Sequence, residues 1–80
     1  MLTIQLTVIE ARNLARGDFL ISSDPYCKVI TRQSVQQTQT QFKTCNPMWH
    51  QTFTLQVMNG EDIRFEVWDY GGIGFMGFLL

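Results

Sequence analysis

The stretch WHQTFTLQVMNGEDIRFEVW, residues 49–68, decides what kind of backbone this chain builds. Trp49, Gln51, Phe53, Leu55 and Val57 fall on one parity, and Thr52, Thr54 and Gln56 on the other. A period of two with one apolar set is the pattern of a half-buried strand, because successive side chains of a strand point to opposite faces. Asn59-Gly60 is the best turn signal in the chain. After it Ile63, Phe65 and Val67 resume the alternation, with Arg64, Glu66 and Trp68 opposite. Trp49, Phe53 and Phe65 read as core, and Trp68 as partly exposed.

The same period recurs on both sides of this stretch. Leu2, Ile4, Leu6 and Val8 alternate with Thr3, Gln5 and Thr7, and Ala11 and Leu14 continue as apolar anchors. Pro25 opens a strand over 26–31, at the one strand position that tolerates a residue without an amide proton. Residues 32–35 read as a turn, 36–42 as a polar strand, and 44–48, with Asn46-Pro47, as a connection. Residues 69–74 read as a glycine-rich loop, and the apolar 75–80 as a sixth strand. No segment carries helical spacing. Short alternating strands divided by turn signals predict an all-β fold, an antiparallel sandwich or barrel.

Composition narrows the function classes. Eighty residues make one domain at most, expected to be residues 1–80 as a single unit. A net charge of −1 offers no basic surplus for nucleic acid. The two cysteines, Cys27 and Cys45, are too few for a disulfide framework, and Cys27 sits in an apolar strand pattern as a buried thiol would. No apolar run approaches the roughly 20 residues that span a bilayer, and no secretory signal is visible, so the expected setting is cytoplasmic. His50, on the polar parity of its strand, has no spacing that makes a triad or a Cys–His pair, and no enzymatic activity is expected. The loop at 16–24 is unusual in holding Phe19, Leu20 and Ile21, three bulky apolar side chains where a solvated loop is polar.

Several segments together resemble one family. LTVIEARNL (Leu6 to Leu14), SDPYCKV (Ser23 to Val29), QTQTQFKTCNPMWHQTFTLQV (Gln37 to Val57), IRFEVWDY (Ile63 to Tyr70) and GFMG (Gly74 to Gly77) are similar to successive motifs of the C2 domain, the calcium- and phospholipid-binding module. The resemblance implies a C2-like antiparallel sandwich. Members of that family close it with more strands than this sequence displays, so the closing strands are expected to be missing or supplied by another chain.

The resemblance also implies a site. Asp18 and Asp24 match first-loop calcium ligands and Asp69 the leading third-loop ligand, while Gly71 and Gly74 stand where the family usually has further aspartates. Calcium takes six to eight oxygens, so fewer carboxylates imply weak binding or none. Phe19, Leu20 and Ile21 would form a membrane-contacting loop, and Lys28, Arg32 and Lys43 a basic lipid patch, each charge worth about 1 kcal/mol near an anionic surface. The expected partner is an anionic phospholipid membrane, in a cytoplasmic peripheral setting. The competing expectations are a calcium-independent protein-interaction module and a homodimer.

Overall fold

A computed structural model describes residues 1–14, 24–70 and 74–78. Six strands follow one another: β1 (Leu2–Glu10), β2 (Pro25–Ile30), β3 (Val35–Gln37), β4 (Met48–Val57), β5 (Arg64–Asp69) and β6 (Gly74–Phe78). They form two sheets, a narrow one of β1 and β4 and a wide one in the order β3-β2-β5-β6, with every pairing antiparallel. The alternative of a barrel is thereby resolved in favour of the sandwich.

The apolar parities face each other between the sheets. Val8, Trp49, Phe53, Leu55 and Val57 from the narrow sheet meet Cys27, Val29 and Val67 from the wide one, and Ile4, Leu6, Leu14, Ile63 and Phe65 pack against this cluster half-buried. Burying side chains of this size contributes about 1.5–3 kcal/mol each, so the cluster is the main source of stability. Both thiols are free; burial pushes the Cys27 thiol up to about 11. Trp68 is half-buried on the outer face of the wide sheet, where it donates from Nε1 to Glu66 Oε1 at 3.0 Å.

Two features depart from simple alternation. The register of β1 and β4 shifts between Val8↔Gln51 and Glu10↔Met48, so β4 carries one extra residue there. His50 absorbs it with φ 47°, a left-handed conformation that histidine adopts more readily than most residues. The second departure is in the expected polar strand over 36–42, which is regular only through Gln37. Beyond it Thr38 replaces ladder bonds with a side-chain clamp: Cys27 N donates to Thr38 Oγ1 and Thr38 N to Cys27 O, both at 2.9 Å. A threonine can offer its hydroxyl where the ladder has ended, and alternation alone does not reveal that substitution.

Asn59-Gly60 turns the chain, but from one sheet to the other rather than into a hairpin, since β4 and β5 do not pair. Glu61 N donates to Met58 O at 3.0 Å with Gly60 at φ 82°, the type II arrangement that requires a residue free of a Cβ at its third position. The Glu61 carboxylate accepts from Arg32 N at 2.6 Å and Met58 N at 2.8 Å, and these bonds hold its carboxyl below the usual range.

Candidate functional site at the aspartate end

The site forms where β2 begins and β5 ends. The register pairs Pro25 with Asp69, which brings Asp24 and Asp69 side by side across the wide sheet. Asp24 N donates to Asp69 Oδ1 at 3.0 Å, and Tyr70 N to Asp24 O at 2.8 Å. The segment after Thr38 then wraps over this end. Gln41 N donates to Pro25 O at 3.0 Å, and Trp49 Nε1 reaches the same carbonyl at 3.3 Å. Lys43 N donates to Asp24 Oδ1 at 2.7 Å, and Lys43 takes φ 56° to do so. A left-handed lysine costs on the order of 1 kcal/mol, which a charge-assisted hydrogen bond offsets.

The connection after β1 is stitched to the same end. Ala11 N donates to Pro47 O at 3.0 Å and Leu14 N to Cys45 O at 2.9 Å. Asn13, left-handed at φ 55°, donates from its N to Asn46 Oδ1 at 2.8 Å. The Asn46-Pro47 turn therefore anchors the start of the segment that leads to Asp18.

The expected site residues fall as follows. Asp24 and Asp69 are brought together. Asp18, Phe19, Leu20 and Ile21 lie outside the described residues. Lys43 stands beside Asp24. Lys28 lies along β2 with its Nζ 4.4 Å from the Trp68 ring centroid. Arg32 follows the far end of β2, roughly 20–25 Å from Asp24 at about 3.3 Å per residue. The three cations are thus strung out along the length of β2 rather than gathered.

Sequence reasoning missed an aromatic pair. Phe42 and Tyr70, 64% and 58% exposed, meet edge to face with centroids 6.0 Å apart, directly beside Lys43 and Asp69. The signal on offer was Phe42 itself, the one bulky apolar residue in the polar run QTQTQF. Its partner was not legible, because only the β2–β5 register and the wrap over Asp24 bring position 42 to position 70.

The donor chemistry bears on calcium. Each aspartate spends Oδ1 on a backbone amide and leaves Oδ2 without a protein hydrogen bond among the described residues. These oxygens are of the right kind for a hard cation, but two fall short of the six to eight it takes. Among the described residues no group of three His, Cys, Asp or Glu side chains is placed to hold a metal.

Two antiparallel sheets packed face to face, with paired carboxylates and exposed aromatics at one end, define a small β-sandwich of the binding-module class. The chain belongs to the C2 domain family, whose model matches residues 2–79. It is 33% identical over 78 residues to Ras GTPase-activating protein 4 of Mus musculus, covering 95% of this chain and 10% of that protein. Among solved structures it is similar to a C2 domain of RIM from Drosophila, with a TM-score of 0.83 and 28% identity over 96% of this chain and 71% of the other. It is also similar to Extended-Synaptotagmin 2, in a structure that spans the SMP domain and two C2 domains, with a TM-score of 0.85 and 26% identity over 96% of this chain and 19% of the other. The chain spans about a tenth of the length of the curated relatives it matches. C2 domains are binding modules that engage membranes or proteins and are usually non-catalytic.

Proposed function

We propose that this chain docks peripherally on anionic phospholipid surfaces through the end that carries Asp24 and Asp69, with calcium assisting weakly or not at all. The observation that supports this most is the convergence of the two carboxylates beside the exposed Phe42–Tyr70 pair. Aromatic side chains with a polar edge favour the headgroup level of a bilayer. Lys43 supplies positive charge next to them, and Lys28 and Arg32 add weaker attraction farther along β2. Asp18 would be the third carboxylate, and Phe19, Leu20 and Ile21 would enter the acyl boundary beside the aromatic pair. The setting is the cytoplasmic face of a membrane, and the role that of a targeting piece in a signalling protein.

Any calcium at this end would be held by Asp24, Asp69 and Asp18, offsetting their negative charge against the anionic surface. Co-sedimentation with phosphatidylserine-containing vesicles, with and without calcium, tests the reading. Pelleting that Asp69→Asn reduces only when calcium is present supports it; the amide oxygen of asparagine still accepts from Asp24 N. Absence of pelleting in both conditions overturns it.

A second reading, a calcium-independent protein-interaction module, draws on a specific observation. Both carboxylates already accept backbone amides at this end, and glycine occupies positions 71 and 74. Lipid-independent capture by a protein partner, unaltered by calcium chelation, would favour it.

A further inference from the structure

The core is closed on one side and open on the other. In the narrow sheet, Leu55 on β4 is 1% exposed, while its register partner Ile4 on β1 is only half-buried. In the wide sheet, Val29 on β2 is 0% exposed, while its partner Phe65 on β5 is half-buried. Leu6 and Ile63 are half-buried as well. Exposure therefore rises from β4 to β1 and from β2 to β5, and the open flank of the sandwich is the one bounded by the outer edge of β1.

That edge is a template for another strand. Among the described residues β1 pairs with β4 alone, and over Leu2–Ile9 it carries neither charge nor proline. Such features are what proteins use to blunt an edge. The other edges are poorer. β3 has three residues, β6 has five including Gly74 and Gly77, and the far edge of β4 is approached by Gln36, whose Nε2 reaches Thr54 O at 3.5 Å. With the Thr54 carbonyl turned outward, Gln5↔Thr54 is a pair that does not exchange backbone bonds. By the antiparallel alternation, Thr3, Gln5 and Thr7 then direct their amides and carbonyls to the free edge. The short contacts Thr7 Oγ1–Thr52 Oγ1 at 2.8 Å and Thr3 Oγ1–Gln56 Oε1 at 3.1 Å fit the closer side chains of such pairs.

We propose that this edge receives β1 of a second copy of the chain, antiparallel about a twofold axis at Gln5, making one continuous sheet β4-β1-β1-β4. The edge is self-complementary in that register. Gln5 lies opposite Gln5 and Thr3 opposite Thr7 on the polar face, and Ile4 lies opposite Leu6 and Leu2 opposite Val8 on the apolar face. No like charges meet, and the chain's net charge of −1 offers little repulsion between copies. The added strand lays apolar side chains along the flank where Phe65 and Ile63 are half-buried. The inference is independent of the membrane reading and concerns the opposite flank from the wrap over Asp24.

Light scattering on the 80-residue chain over a range of concentrations tests it. The mass is expected to climb from 9.3 kDa toward twice that value. Gln5→Lys puts two ammonium groups opposite each other and is expected to weaken association about tenfold or more. Thr54→Lys, on the same exposed face but off the edge, is expected to leave it intact. Mixing Gln5→Lys with Gln5→Glu is expected to restore the double-mass species, and this arm still decides if one variant alone is poorly behaved. A wild-type chain that stays at 9.3 kDa throughout overturns the proposal, as does association that Gln5→Lys and Thr54→Lys affect equally.

Discussion

Thr38→Val is the most informative substitution for the architecture. Thr38 is 3% exposed, and its hydroxyl accepts the only described bond of the Cys27 amide on that side of β2, where Cys27 is 0% exposed. Valine keeps the shape and the β-branch but withdraws the acceptor, so a buried amide is left unsatisfied. That costs about 1–3 kcal/mol, the desolvation penalty of the orphaned group rather than the worth of one bond. For a domain of this size 1 kcal/mol moves the melting temperature by about 4–8 °C, so a drop of roughly 10 °C is expected. Thr38→Ser keeps the acceptor and loses one methyl, at about 0.8 kcal/mol. Thermal melts followed by circular dichroism, and urea midpoints, read both variants. The order valine below serine below wild type is the prediction. A valine variant as stable as wild type, or more stable than the serine variant, would refute the claim that this hydroxyl stands in for the ladder.

Three other outcomes follow from the geometry. Phe42→Ser and Tyr70→Ser are each expected to weaken vesicle binding about five- to tenfold while leaving the melt within about 0.5 kcal/mol of wild type, since both rings are exposed; equal losses of binding and folding would make the pair structural. Calorimetric titration with calcium is expected to give a Kd of about 10⁻⁴ M or weaker, and sub-micromolar binding would mean that other oxygens complete the site. The Cys27 thiol is raised to about 11 by burial, from 9.0 when unfolded, so the folded chain holds its proton more tightly; stability is full below pH 9 and declines as pH rises from 9 toward 11, a decline that Cys27→Ala should abolish in urea titrations.

How much of this was legible in the sequence depended on range. β4 and β5 were readable because one face of each is buried, so hydrophobic parity maps directly onto burial at Phe53, Leu55, Val57 and Val67. The segment at 38–42 was not, because side-chain oxygens can replace ladder bonds without changing polarity, and the threonine–glutamine alternation looks the same either way. Asp24 and Asp69 were recognisable from local motifs, and the pairing Pro25↔Asp69 explains why they meet. The Phe42–Tyr70 contact joins two residues 28 positions apart, and it exists only because Lys43 turns left-handed onto Asp24. The bulge at His50 was hidden for a similar reason: the extra residue preserves the apparent alternation while shifting the partner strand.

Backbone amide spectra of the isotopically labelled chain, recorded as anionic nanodiscs are added, test the central claim most directly. Membrane docking through the aspartate end predicts that signals of Asp24, Lys43, Asp69 and Tyr70 shift or broaden first, while those of Arg32, Gly60 and Glu61 at the opposite end remain in place. Perturbation confined to the Arg32–Glu61 end, or spectra unchanged at saturating lipid, would contradict it.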